Sequence, residues 1–214
     1  HMSARRQRQM CIRDRIDPVR YISNKSSGKM GFSLAKAAVG ESAIVTLISG
    51  PVTLETPERV HRIDIESAEE MREKVIENLS DIDLFISTAA VSDFKMKNAK
   101  SQKIKKDQSK SMSLQLEKNE DILKLVSKNN PELKIVGFAA ETENMIDNAR
   151  KKLSSKNLNL IVANDVSDSS IGFDSNNNEV TLITEKEELN IPKTSKEKVA
   201  RKIVQFISKN VLDD

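Results

Sequence analysis

Four apolar runs constrain this chain more than any other feature: AIVTLISG at 43–50, DLFISTAAV at 83–91, KIVGFAAET at 134–142 and LNLIVAND at 158–165. None alternates apolar with polar residues along its length, as a strand with one wet face does. Each therefore reads as a strand buried on both faces. Helical spacing fills most of the intervals, and strands alternating with helices close into βαβ units around a parallel sheet. VHRIDI at 60–65 is a further strand, and a helix of small residues covers about 27–39. Ser67, with Glu70 three residues on, forms a capping box for AEEMREKVIENL. A helix near 143–155 joins two of the runs, and NEVTLIT and ELNIP flank a charged turn as a hairpin does. The last helix is expected near Thr194, with Glu197 as a second capping box. The expected fold class is α/β: a doubly wound, mostly parallel, Rossmann-like sheet.

A length of 214 residues fits one such domain, or one with an appended arm. Cys11 is the only cysteine, which excludes an internal disulfide and a cysteine-rich metal site. His1 and His61 are the only histidines, so a histidine metal centre or a Ser-His-Asp triad has almost no material. His61 reads as structural or exposed. The net charge of +3 comes from lysines spread along the chain, which demands no nucleic-acid partner but allows a local anion site. No apolar run approaches the roughly 20 residues that span a bilayer, and no signal peptide is visible. The expected setting is cytoplasmic and reducing, without a membrane partner. His1-Met2 reads as the scar of a cleaved tag.

In a doubly wound sheet, ligands bind beyond the carboxyl ends of the strands. One candidate is ISNKSSGKMG at 22–31, a glycine-rich turn before a helix, where free N–H groups face an anion and Lys25 and Lys29 add charge. Ser26, Ser27 and Gly28 are its anion loop, although the Gly-Lys-Ser/Thr ending of a P-loop is absent. AAVSD at 89–93 could floor a nucleotide pocket, with Asp93 accepting from a base or ribose; equally, Asp93 could cap a helix. Lys103, Lys105 and Lys106 stand in a long polar loop within 94–118, and Lys152 and Lys156 lie four apart on one helix face. Such clusters suit a triphosphate with its divalent ion, or are simply solvated faces. Asn119 reads as a helix N-cap.

In order, IDPVRYISNKSSGKMG, VTLISGPV, AAVSDF, KIKK, KNEDIL, GFAAET, KNLNLIVANDV and GFDSNNNEV resemble the phosphopantothenoylcysteine synthetase (phosphopantothenate–cysteine ligase) family, from about Ile16 to the last helix. In bacteria this is the C-terminal half of the bifunctional coenzyme A biosynthesis protein CoaBC; the flavin-dependent decarboxylase half has no counterpart here. The resemblance implies a ligase domain over 16–214 that joins 4′-phosphopantothenate to L-cysteine. The phosphopantothenate carboxylate attacks the α-phosphate of a nucleotide, pyrophosphate leaves, and the cysteine amine displaces the nucleotide from the acyl-nucleotide anhydride. CTP serves the bacterial type and typically ATP the eukaryotic type, both with Mg²⁺; the metal ligands are unknown. By position, Asn24 matches the asparagine that contacts the acyl-nucleotide, and Lys103 the lysine needed to form it. For the cytidine nucleotide the matching positions are Ser87, Thr88, Ala89, Asp93, Lys103, Asn119, Glu120, Asp121, Ile122, Phe138, Lys152 and Lys156. A homodimer is also implied, in which the long insertion or the hairpin reaches across.

One stretch departs from the family. Residues 1–15 are atypical: ARRQRQMCIRDR stands where the family has a hydrophobic first strand and a Gly-containing turn. It reads as foreign to the domain, such as translated adaptor sequence, or by composition alone as a disordered basic arm. That first strand is central in a doubly wound sheet, so its loss implies missing ladder hydrogen bonds and weakened activity. Two other classes compete with the ligase. A nicotinamide-dependent oxidoreductase would want G-x-G-x-x-G after the first strand and an acidic residue ending the second, and neither is present. A nucleotide-binding module without catalysis needs only the pocket.

Overall fold

The apolar runs become strands, and the segments between them become helices that cover both faces. The structure, a computed structural model, describes residues 12–24, 26–105, 112–141, 143–165 and 175–212. In chain order the elements are β1 (Asp14–Arg15), β2 (Tyr21–Ile22), α1 (Lys29–Gly40), β3 (Val45–Ser49), β4 (Val60–Asp64), α2 (Ala68–Glu77), β5 (Leu84–Ser87), β6 (Phe94–Met96) and β7 (Leu116–Lys118). They continue with α3 (Ile122–Asn129), β8 (Lys134–Glu141), α4 (Met145–Ser155), β9 (Leu160–Asp165), β10 (Asn177–Ile183), β11 (Glu188–Ser195), α5 (Lys196–Ile207) and a π-helical turn (Ser208–Leu212).

Five strands form the main sheet in the order β11-β10-β9-β8-β5. β5, β8 and β9 are parallel, with Ser87 opposite Gly137 and Ala139 opposite Ala163. The expected hairpin, β10 and β11, adds the antiparallel edge. Because a strand's side chains alternate, the central strands supply two cores at once. Ile135, Ala139, Ile161 and Ala163 face Met71, Val75, Val126, Ala149 and Leu153 on one side. Val136, Leu160, Val162, Val180 and Leu182 face Leu34, Val199, Ile203 and Ile207 on the other. At about 1.5–3 kcal/mol for each fully buried aliphatic side chain, this two-sided burial is what holds the layers together.

Several local expectations need correction. DLFISTAAV is a strand only over Leu84–Ser87, since beyond it the chain turns away to build the strand-end loop. The last helix is capped by Ser195, whose Oγ accepts from the Lys198 N–H at 3.4 Å, not by Thr194. Ser67 caps α2 through the Glu70 N–H at 3.2 Å, but the Glu70 carboxylate reaches the N–H of Glu66 at 2.7 Å, not that of Ser67. The long polar loop contains a short antiparallel ribbon, β6 with β7, and its tip at 106–111 lies outside the described residues. His61 is exposed on β4. Among the described residues no helix is long and apolar enough to cross a membrane.

The sheet is divided. β3 and β4 pair in parallel as a separate two-stranded unit, and among the described residues no strand pairs with the remaining edge of β3 or of β5. A narrow cavity lined by Ile12, Leu47, Ile48, Ala89 and Ala90 marks the seam. The basic N-terminal stretch, with Cys11, lies outside the described residues. From Ile12 the chain is built in: Arg13 donates its N–H to the Glu66 carbonyl at 2.7 Å, and buried Asp14 accepts from the Ala68 N–H at 3.3 Å. The Arg13 guanidinium lies 4.8 Å from the Tyr21 ring centroid, and its buried Nε finds no hydrogen-bond partner among the described residues. Native-state hydrogen exchange tests the division. Amides of β8 and β9 should be the most protected, while the β5 and β3 amides that face the seam should exchange at least about a hundredfold faster. Uniform protection across β5 would show that the edge is not open.

Candidate active site

The parallel registers align the carboxyl ends of β5, β8 and β9, and this edge gathers most of the candidate residues. With Ser87 opposite Gly137, the next residues, Thr88 and Phe138, stand at one level; Ala140 lies opposite Asn164 and Glu141 opposite Asp165. The start of α1 packs onto the same edge. Gly28 precedes the helix at φ 73°, a left-handed conformation that suits glycine, and its carbonyl accepts from the Phe32 N–H at 3.1 Å. A Cβ on Gly31 would stand 2.9 Å from Thr88 Oγ1, so only glycine lets the helix come this close to the end of β5. Asn24 reaches the same loop, donating from Nδ2 to the Ala90 carbonyl at 3.3 Å. The half-buried Ser26 and Ser27 lie between Asn24 and the helix, and Lys29 donates to Asn176 Oδ1 at 2.8 Å. Lys25 lies outside the described residues.

Asn119 does not cap a helix. It is buried, donating from Nδ2 to the Ser92 carbonyl at 2.8 Å and to Asp14 Oδ2 at 3.3 Å, while its N–H bonds the Asp93 carbonyl at 2.8 Å. It thus clamps the chain after β5 to the start of α3. The cap of α3 is Asp121, whose Oδ1 accepts from the Lys124 N–H at 3.1 Å. Ile122 is buried behind it, and Glu120 is exposed with its carboxylate 3.7 Å from Arg72 Nε. Asp93 is exposed and leads into β6, so it caps no helix either.

Lys152 projects from α4 as expected, whereas Lys156 is the residue that caps its C-terminal end, and each already holds a carboxylate. Lys152 Nζ is 2.5 Å from Glu141 Oε1, and Asn148 donates to the other Glu141 oxygen at 3.2 Å. Lys156 Nζ is 2.8 Å from Asp121 Oδ2. Burial pushes the Asp121 carboxyl up, but the Lys156 bond and the Lys124 N–H outweigh it and leave its pKa below the usual aspartate range. The contribution to stability is therefore complete above the ordinary aspartate value and is lost as pH falls below it. An anion that used these lysines would replace one negative partner with another.

Lys103 and Lys105 are exposed on the loop after β6, and Lys106 lies outside the described residues. What holds this loop in place escaped the sequence reading. Asp17 and Arg20, in IDPVR, bond the backbone of Ile104 next to Lys103. An Asp-Pro-x-Arg spacing, which lets the arginine fold back on the aspartate, was the available signal. Among the described residues no group of three or more His, Cys, Asp or Glu side chains could hold a metal ion.

Residues 11–211 match the family of the C-terminal domain of DNA/pantothenate metabolism flavoproteins. The coenzyme A biosynthesis bifunctional protein CoaBC of Vibrio parahaemolyticus is 48% identical over 195 residues, covering 90% of this chain and 49% of that protein. That of Bacillus subtilis is 46% identical over 198 residues, covering 92% and 48%. The chain thus spans about half the length of the curated relatives it matches. Among solved structures, the C-terminal domain of a coenzyme A biosynthesis bifunctional protein CoaBC superposes with a TM-score of 0.81 at 38% identity, covering 96% of this chain and 94% of that one.

Three substitutions test the geometry. Gly31→Ala should lower the unfolding free energy by about 1–3 kcal/mol in urea titrations, and adding Thr88→Ala should restore most of it by removing the contacted oxygen. In a carbon-13 NMR titration, Lys156→Ala should raise the Asp121 pKa to or above the ordinary aspartate value, since burial then meets less opposition. An unmoved Asp121 would mean that Lys156 is not its partner in solution.

Proposed function

Because the chain belongs to the family of DNA/pantothenate metabolism flavoprotein C-terminal domains, we propose that it is a phosphopantothenate–cysteine ligase module of coenzyme A synthesis. The observation that carries this reading is the breadth of the match, which takes in the whole strand-end edge and not one motif. In the reaction, a carboxylate oxygen of 4′-phosphopantothenate attacks the α-phosphorus of CTP, and pyrophosphate leaves. The amine of L-cysteine then attacks the acyl carbon of the acyl-CMP, CMP leaves and the amine loses a proton. No protein nucleophile is needed; the task is to hold anions against one another and offset their charge.

Asn24 is assigned to the acyl-nucleotide and Lys103 to its formation. Its placement against the Ala90 carbonyl supports Asn24 in that role, because it sets the amide beside the Ser87–Ala89 segment assigned to the cytidine nucleotide together with Asp93, Phe138 and Asn119–Ile122. Ser26, Ser27 and Gly28 serve as the anion loop. Lys152 and Lys156 take the phosphates by exchanging their carboxylates. Mg²⁺ enters as part of the metal–nucleotide substrate and draws charge from the phosphates. The protein is assigned to the cytoplasm as a homodimer, and exposed Phe94, Leu114 and Leu116 on and beside the β6–β7 ribbon supply apolar surface for the second copy.

The test is to incubate the protein with 4′-phosphopantothenate, L-cysteine, Mg²⁺ and either CTP or ATP and to follow pyrophosphate. Release that depends on phosphopantothenate and prefers CTP is expected. Nucleotide binding without release would favour a non-catalytic module, which the divided sheet beside the site makes the reading to beat. Asn24→Ala should slow amide formation by about a hundredfold with a smaller effect on pyrophosphate, and Lys103→Ala should suppress both by a similar factor. Unchanged rates in both variants would overturn the residue assignments.

A further inference from the structure

Lys103 sits in a stretch without helix or strand, yet its neighbours on both sides are fastened to one turn. The Lys100 N–H donates to the Ile16 carbonyl at 2.9 Å. The Ile104 N–H donates to Asp17 Oδ2 at 3.1 Å, and the Ile104 carbonyl accepts from Arg20 Nη2 at 2.9 Å. At the centre is the Asp17 carboxylate, whose side chain has no accessible surface. Its Oδ1 accepts from the N–H groups of Val19 and Arg20 at 2.8 and 2.9 Å, and its Oδ2 from Arg20 Nε and Nη2 at 3.0 and 2.5 Å as well as from Ile104. The Arg20 guanidinium, ahead of the backbone donors, holds the carboxyl far below the usual aspartate range against the opposing effect of burial. The turn then continues through β2 to Asn24.

We propose that Asp17 is the positioning residue for Lys103, fixing the loop that carries it to the segment that carries Asn24. The proposal rests on the ligase reading for what Lys103 does, but the strap itself does not. Only a carboxylate can accept from the guanidinium and from the Ile104 N–H at one oxygen while its other oxygen closes the turn. An asparagine replaces one of those acceptors with a donor and removes the charge that orders Arg20.

Asp17→Asn is expected to lower kcat for pyrophosphate release by about tenfold to a hundredfold, with the nucleotide KM changed by less than about threefold. In the Lys103→Ala background the same substitution should cost nothing further. Losses that multiply in the double variant, or a raised KM alone, would overturn the proposal, because a merely structural residue acts independently of Lys103. Limited trypsin digestion reads the strap without catalysis: cleavage after Lys103 and Lys105 should accelerate at least about fivefold in Asp17→Asn at temperatures where circular dichroism shows it folded. Equal cleavage rates would overturn the proposal even in an active enzyme. If the unsubstituted protein releases no pyrophosphate, the ligase reading falls and the digestion alone decides for or against the strap. Should Asp17→Asn fail to fold, Asp17→Glu carries the same comparisons, its retained charge predicting a smaller loss.

Discussion

The parallel pairing of β8 with β9, in a layer dry on both faces, is the constraint on which the remaining structure depends. Each strand sends alternate side chains into opposite cores, so a slip of one residue would exchange the two cores and strand both sets of helices. That register aligns Ala140 with Asn164 and Glu141 with Asp165, and thereby sets the floor against which α1, α3 and α4 bring their side chains. The site is a consequence of sheet register before it is a set of polar residues.

Much of this was legible in the amino-acid order. Uninterrupted apolar runs such as LNLIVAND can be stable only between two covering layers, which is why the strands and the parallel centre could be read directly. Local caps were legible to within a residue: Ser67 as read, Ser195 in place of Thr194. What stayed hidden were partners distant in sequence. Nothing near Lys152 announces Glu141, which comes from a strand eleven residues earlier. Nothing near Asn119 announces Ser92 and Asp14, which turn a residue read as a helix cap into a buried clamp between segments. Asp17 is a further case, since its most informative partner, Ile104, lies 87 residues away.

The candidate site draws its precision from unlike sources. The start of α1 is placed by the absence of an atom, the missing Cβ of Gly31, whereas the loop of Lys103 is placed by an ionised group in the interior. A steric device of the first kind costs no desolvation. The second depends on every lone pair finding a donor, and the five bonds to Asp17 meet that demand. Against these two fixed points stands the seam between β3 and β5, where the sheet supplies no ladder. Positioning on the α1 side of the edge therefore leans on side-chain contacts more than backbone pairing.

The carboxylates of Glu141 and Asp121 have a consequence of a different kind. Between an exposed basic site and an arriving anion, salt screens the attraction and weakens binding. Here Lys152 on α4 and Lys156 at its C-terminal cap carry their counter-ions covalently, as part of the same chain. A polyanion drawn to them would have to displace tethered groups that stay nearby and compete for return. The competitor for any anion at this pair is thus built into the chain, and dilution does not remove it.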